Sequence, residues 1–219
     1  MTGDEPTQAE IEAAVANVET AAAVLDHIRA HVGPVEAVFH ELESDSIAID
    51  IHYVAPTPER DCHTLITSGM SDQPMPAGSG VAYGELVMCL PSDWSMDEDA
   101  LEDDATAWPL EMLRALGKLP YAHGVAFDFG LCTDNLTLPF GMARQAGFTG
   151  VLLAPPVTVP DAFWCLEAKN GKVIDFFGAV MLYPQELEHA RYEGVVSLAR
   201  ALDRLSVNEL VQPGRKPAV

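Results

Sequence analysis

Glu85 is the residue in this sequence best placed for proton chemistry. It stands in the apolar run Tyr83 to Leu90, with Leu86, Met88 and Leu90 on one side of a strand and Glu85 on the other. A carboxyl buried there would keep its proton to higher pH than a solvated one, as an acid catalyst needs. Asp72 and His63 are its candidate acid–base partners. The same pattern also fits a carboxylate that faces water or caps a neighbouring group. Metal chemistry has less to build on. Cys62 and His63 are adjacent, so on a strand they point to opposite faces and cannot easily share one ion, and there is no H-E-x-x-H or C-x-x-C motif. Asp97, Asp99, Asp103 and Asp104 offer the hard oxygens that calcium prefers, but their segment lacks the glycine of an EF-hand and reads as a solvated acidic loop. No G-x-S-x-G elbow or phosphate-binding loop is present, and Gly78-Ser79-Gly80 is too short to cradle a phosphate. The expectation is a protein with no metal or cofactor that is not an enzyme.

Charge is the most unusual feature. The 219 residues carry 33 acids against 12 lysines and arginines, a net charge of −21. Between Arg29 and Arg114 there are seventeen acids and one base, Arg60. Such a field repels nucleic acid and anionic lipid and favours a basic protein partner. Adaptation to a salty cytoplasm explains the same number, and a host proteome with a comparably low mean pI would strip it of functional meaning. The wide spacing of Cys62, Cys89, Cys132 and Cys165 suits buried thiols in a reducing compartment. The acidic first residues do not resemble a secretory signal, so the cytoplasm is expected, and no apolar run approaches the roughly 18 residues of a membrane span.

These residues need elements to position them. Thr7-x-x-Glu10 fits a capping box, and Ile11, Val15, Val18, Ala22, Leu25 and Val32 follow at helical spacing until Gly33-Pro34. Ile47 to Tyr53 alternates as a strand. Cys62–Ser68 is a second strand, 69–81 a loop and Tyr83–Leu90 a third strand. Residues 93–107 read as an acidic loop, after which Trp108-Pro109 opens a helix with proline at its first position. Residues 120–147 give no clear pattern. Phe148–Ala154 is a short strand. Phe163–Ala168 and Val173–Tyr183 flank Asn170-Gly171, a two-residue hairpin signal, and the second of these, apolar on both faces, belongs in the middle of a sheet. One long helix then runs from Pro184 to Leu205. Residues 1–6 and 212–219 read as loose tails around a single domain, 1–219. The class is α+β, with a mixed, largely antiparallel sheet flanked by helices.

Four pieces of this pattern resemble the suppressor of fused family. They are H-T-L-I-T-S-G-M-S-D at 63–72, Y-G-E-L-V-M-C-L at 83–90, Trp108-Pro109 with its leucine helix, and the strand ending at Tyr183-Pro184 with Q-E-L after it. The motif positions carried by the resemblance are Gly69, Ser71, Asp72, Glu85, Trp108, Pro109, Tyr183 and Pro184. It implies an α+β domain with no known catalytic role. Animal members restrain Gli-type transcription factors by gripping a peptide as an added strand between two lobes. This chain has no room for the second lobe, and its loop 73–82 is shorter, so no peptide-gripping residue carries across. Single-domain members resemble the bacterial branch, for which immunity to toxins has been suggested.

Three kinds of function therefore stand. One is a non-catalytic binding protein, an immunity protein for a basic toxin, with Asp97, Glu98, Asp99, Glu102, Asp103 and Asp104 as its contacts. The second is an enzyme of unknown reaction with Glu85, Asp72 or His63 as acid–base groups. The third is a structural or regulatory subunit whose acidity only reflects a salt-adapted host.

Overall fold

The computed structural model describes residues 7–42, 44, 47–78, 80–134 and 138–219, apart from the side chains of residues 9 and 10. The N-terminal tail, the Glu10 half of the capping box and Ser79 lie outside them.

Eight strands among the described residues form one sheet. They are β1 (Ala37–Phe39), β2 (Asp50–Val54), β3 (Cys62–Ser68), β4 (Tyr83–Pro91), β5 (Cys132–Thr133), β6 (Gly150–Ala154), β7 (Cys165–Glu167) and β8 (Val173–Leu182). The order is β1-β2-β3-β4-β8-β6-β5. Only β4 and β8 run parallel; β7 pairs with the first residues of β8 on the side that β6 occupies further along. This is the mixed, largely antiparallel sheet the pattern predicts. β3 has the predicted bounds, and β8 is central because both its faces are covered: Phe177, Ala179 and Met181 join one core, Ile174 and Phe176 a second, and Val180 and Leu182 a third.

Helix α1 (Gln8–His31) lays Val24 and Ile28 on one face, against Ile66, Val87 and Phe176. The helix α3 (Asp104–His123) covers the other, packing Leu113 and Leu116 against Ile49, Leu65 and Leu86. α4 (Phe140–Gln145) extends that layer, while α5 (Pro184–Glu193) and α6 (Val195–Arg204) cover the far end of the α1 face.

Several local expectations need correction. The acidic stretch is not all loop: Glu98–Leu101 forms a helical turn, α2, and α3 starts at Asp104. The Asp103 carboxylate accepts the Ala105 N–H at 2.9 Å, so this cap starts the helix before Pro109, which lies within it. The Asn170-Gly171 hairpin is wider than two residues. Ala168 N–H bonds Lys172 O at 2.8 Å and Gly171, at φ +84°, supplies the left-handed position of a three-residue loop. Gly194, at φ +87° and ψ 155°, divides the predicted last helix into α5 and α6.

The C-terminal segment is not loose. Cys89 donates its N–H to Glu209 O and accepts the Val211 N–H on its carbonyl, so this segment continues the line of β8 beside β4. Beyond it, the Arg215 guanidinium reaches the fully buried Glu186 carboxylate with bonds of 2.6 and 2.8 Å and lies 4.6 Å over the Tyr183 ring. Glu186 also accepts the N–H groups of Tyr183 and Ala218, capping α5 and pinning the chain end. Burial raises the Glu186 carboxyl pKa, but Arg215 and the two amides overcome it and hold it below the ordinary value. Replacing Arg215 with alanine leaves a buried carboxylate without its counter-charge, at a cost of about 3–5 kcal/mol. Urea unfolding at neutral pH should show that loss; a wild-type midpoint would mean that the pair holds nothing in place.

Candidate functional site

The ladder between β3 and β4 ends at Ile66–Val87. Beyond it the strands diverge, and the Glu85 side chain fills the gap, with no solvent exposure. One of its oxygens accepts Ser71 Oγ at 2.6 Å, Ser71 N–H at 2.9 Å and Gly69 N–H at 3.1 Å. The other accepts Thr67 Oγ1 at 2.6 Å, and Thr67 Oγ1 in turn accepts the Leu86 N–H at 2.7 Å. A single carboxylate thus orders the whole turn Gly69 to Asp72.

The rest of that turn is held from outside. Tyr121 of α3 donates its hydroxyl to Met70 O and, at 3.0 Å, to Gln73 O. Lys172, from the β7–β8 loop, donates to Ser71 O at 2.8 Å and Asp72 O at 3.3 Å while lying 5.0 Å over the Tyr83 ring. Gly69 has φ +110°, and a Cβ there would stand 2.2 Å from Ala48 O, so the turn requires glycine. Burial pushes the Glu85 pKa up to about 7, against the pull of its Ser71 and Thr67 donors. Burial also raises Asp72, with Lys172 opposing.

The structure brings two of the three candidate acid–base residues together. Asp72 lies in the turn that Glu85 holds. His63 sits at the other end of β3, opposite Leu90, between Tyr53 Oη at 2.9 Å and Ser92 O at 3.2 Å. The sealed position of Glu85 and its full set of donors suit a fixed structural carboxylate rather than a group that meets a substrate. Cys62 and Cys89 are buried in neighbouring strands, and Cys89 touches Thr158 at 3.1 Å.

The motif residues Trp108 and Tyr183 belong to a line of packed rings. Trp94 meets Trp108 edge-on at 6.1 Å, Trp108 lies 6.4 Å from Phe148, and Phe148 stacks on Tyr183 at 5.0 Å, with Arg215 beyond. Pro184 takes the first position of α5, as expected. Trp94, Met96 and Leu101 anchor the acidic segment on this core, leaving Asp97, Glu98, Asp99, Glu102, Asp103 and Asp104 all exposed. None of the ion pairs among the described residues involves them.

The three lysines and arginines between residues 30 and 118 are engaged elsewhere. Arg60 bonds Val32 O and Ala55 O, Arg114 bonds Ile49 O and Phe39 O, and Lys118 pairs with Glu41 at 2.6 Å. His27 and His31 stand four apart on α1, a spacing that can hold a metal and that the sequence reading passed over. Their rings are 4.5 Å apart, but His27 Nε2 meets Phe163 O at 3.0 Å, and no cluster of three metal-binding side chains occurs among the described residues.

The family described as Suppressor of fused protein (SUFU) matches residues 45–216. The chain belongs to the suppressor of fused family. Its match takes in the Glu85 turn, the aromatic line and Arg215. Two solved structures share the fold. A suppressor of fused homolog from Neisseria gonorrhoeae aligns over 92% of this chain and 98% of its own, with TM-score 0.66 and 16% identity. The Sufu–Fu complex aligns over 91% and 92%, with TM-score 0.62 and 15% identity. No curated protein matches the chain. The Glu186–Arg215 pair and the C-terminal strand pairing were missed by sequence reasoning; a glutamate three residues after Tyr183 marks the start of a helix but carries no sign of its distant partner.

The raised Glu85 pKa sets a pH dependence. Between about 4.5 and about 7 the folded chain keeps the Glu85 proton while the unfolded chain has released it, so stability falls as pH rises through that window, by up to about 3 kcal/mol. Glu85→Gln should lose that slope, leaving the opposing loss of the Glu186 pair at lower pH unchanged. Urea midpoints of both proteins at pH 5 and pH 7 measure the difference; parallel shifts would contradict it.

Proposed function

We propose that this chain is a non-catalytic protein-binding domain that acts in the cytoplasm and neutralises a basic protein, as the immunity protein of a toxin. The observation that carries this reading is the exposed ridge of Asp97, Glu98, Asp99, Glu102, Asp103 and Asp104, presented on a fixed aromatic base in a region whose cations are turned inward. Unneutralised carboxylates on a rigid support draw a cationic partner in quickly and orient it as it docks. Membership of the suppressor of fused family supports protein binding, and the related fold in the Sufu–Fu complex supplies one instance of it. The negative field disfavours nucleic acid as the partner. No helix among the described residues is long and apolar enough to cross a membrane.

Affinity capture from host extract tests this directly. The wild-type chain should retain a basic protein, encoded beside it if the immunity reading holds. A variant with the six acids changed to asparagine or glutamine should associate with that protein roughly tenfold more slowly at low salt, the gap closing as salt rises. Equal association rates at low salt would show that this ridge is not the contact, and capture of no basic protein would remove the reading.

A further inference from the structure

A groove of about 620 Å³ lies between α1 and the β7–β8 hairpin. We propose that it is a docking site for an extended basic peptide of a partner protein, which pairs with the outer edge of β7. This rests on the reading of the chain as a protein-binding domain but names a surface separate from the acidic ridge.

The backbone of β7 gives the first reason. Phe176 N–H bonds Trp164 O and Ala168 N–H bonds Lys172 O, each at 2.8 Å, and Leu166 stands opposite Ile174 between them. Bonded pairs alternate along an antiparallel ladder, so the N–H and C=O groups of Cys165 and Glu167 point away from β8. No described strand pairs with β7 on that side. An outward edge of this kind accepts another strand.

The walls give the second. Ala22 and Ala23 line the α1 side and Leu166 and Ala168 the hairpin side. The Ala22 face continues along α1 as Val18 and Val15, which are 70% and 54% exposed, so an apolar track leads out of the groove. The rim gives the third. The exposed Glu19, Asp26 and Glu167 line the groove, with Lys169 its single lysine or arginine and His27 beside them. An occupant that alternates apolar and basic residues would place one set on the track and the other on the rim. A second copy of this chain would bring its own three carboxylates against these, and two chains of net charge −21 repel.

A fluorescein-labelled peptide of about ten residues, alternating lysine and valine, tests the proposal by anisotropy against the full chain. It should bind saturably, weaken at least tenfold in the variant E19K/D26K/E167K, and weaken again between 0.1 M and 1 M salt, where screening lengths are about 10 and 3 Å. Hydrogen exchange should show protection of the Cys165 and Glu167 amides. All three substituted side chains are exposed, so the variant should keep the wild-type unfolding midpoint. A peptide of equal charge with proline in place of each valine cannot extend the ladder and should not bind. Unchanged affinity in the triple variant, equal binding of the proline peptide, or self-association that fills the groove would overturn the proposal. The variant with the six ridge acids neutralised should still bind the lysine–valine peptide. Retention there together with loss of the captured basic partner separates this site from the ridge; loss of peptide binding there would overturn the groove.

Discussion

The carboxylate of Glu85 is the interaction on which the arrangement of this domain turns. Where β3 and β4 part, two backbone amides and two hydroxyls would otherwise lie buried without acceptors, and one side chain satisfies all of them. The carbonyls of the same turn are then taken by Tyr121 from one face of the sheet and Lys172 from the hairpin beside β8. Helix, sheet and hairpin therefore meet at a turn of four residues, and the base of loop 73–82 is fixed by it. Burial penalises the charge while the donors favour it, and a carboxyl balanced in this way titrates close to neutrality.

A second buried carboxylate, Glu186, does comparable work at the other end of the sheet, with the opposite electrostatic outcome because Arg215 is present to pair with it. Arg215 also ends the run of rings from Trp94 through Trp108, Phe148 and Tyr183. The acidic ridge is thus mounted on the same packed line that holds the chain's last residues. Removing long-chain contacts at either end should be felt along it, since rings in van der Waals contact transmit displacement rather than absorb it.

Much of this was legible beforehand. The bounds of β3, the central place of β8 and the class of the sheet follow from apolar alternation, which reports the faces that are buried. Glu85 stood out because a carboxylate in an apolar strand has to find donors; that Thr67, Gly69 and Ser71 supply them was not readable, since a turn's hydrogen bonds depend on how two strands diverge. Asp103 outcompeted Pro109 as the start of α3 because a side-chain cap satisfies an amide, whereas proline only avoids one. The tail looked loose because Gln212 to Val219 is polar, and nothing local marks Arg215 as the partner of a glutamate twenty-nine residues before it. Long-range ion pairs leave no periodic trace.

The acidity, read first as a total, is sharper as a distribution: exposed carboxylates stand on the ridge and around the groove, while Arg60, Arg114, Lys118, Lys172 and Arg215 are turned onto backbone carbonyls and partly or fully buried acids. Two of those cations, Lys172 and Arg215, are held at the turn that Glu85 orders and at Glu186 itself. Carbon-13 carboxyl titration of Glu85 by NMR tests this most directly. An apparent pKa near 7, with the Gly69 and Ser71 amide shifts moving at the same midpoint, is the predicted result. Titration in the ordinary glutamate range, near 4.5, with those amides unmoved would contradict it.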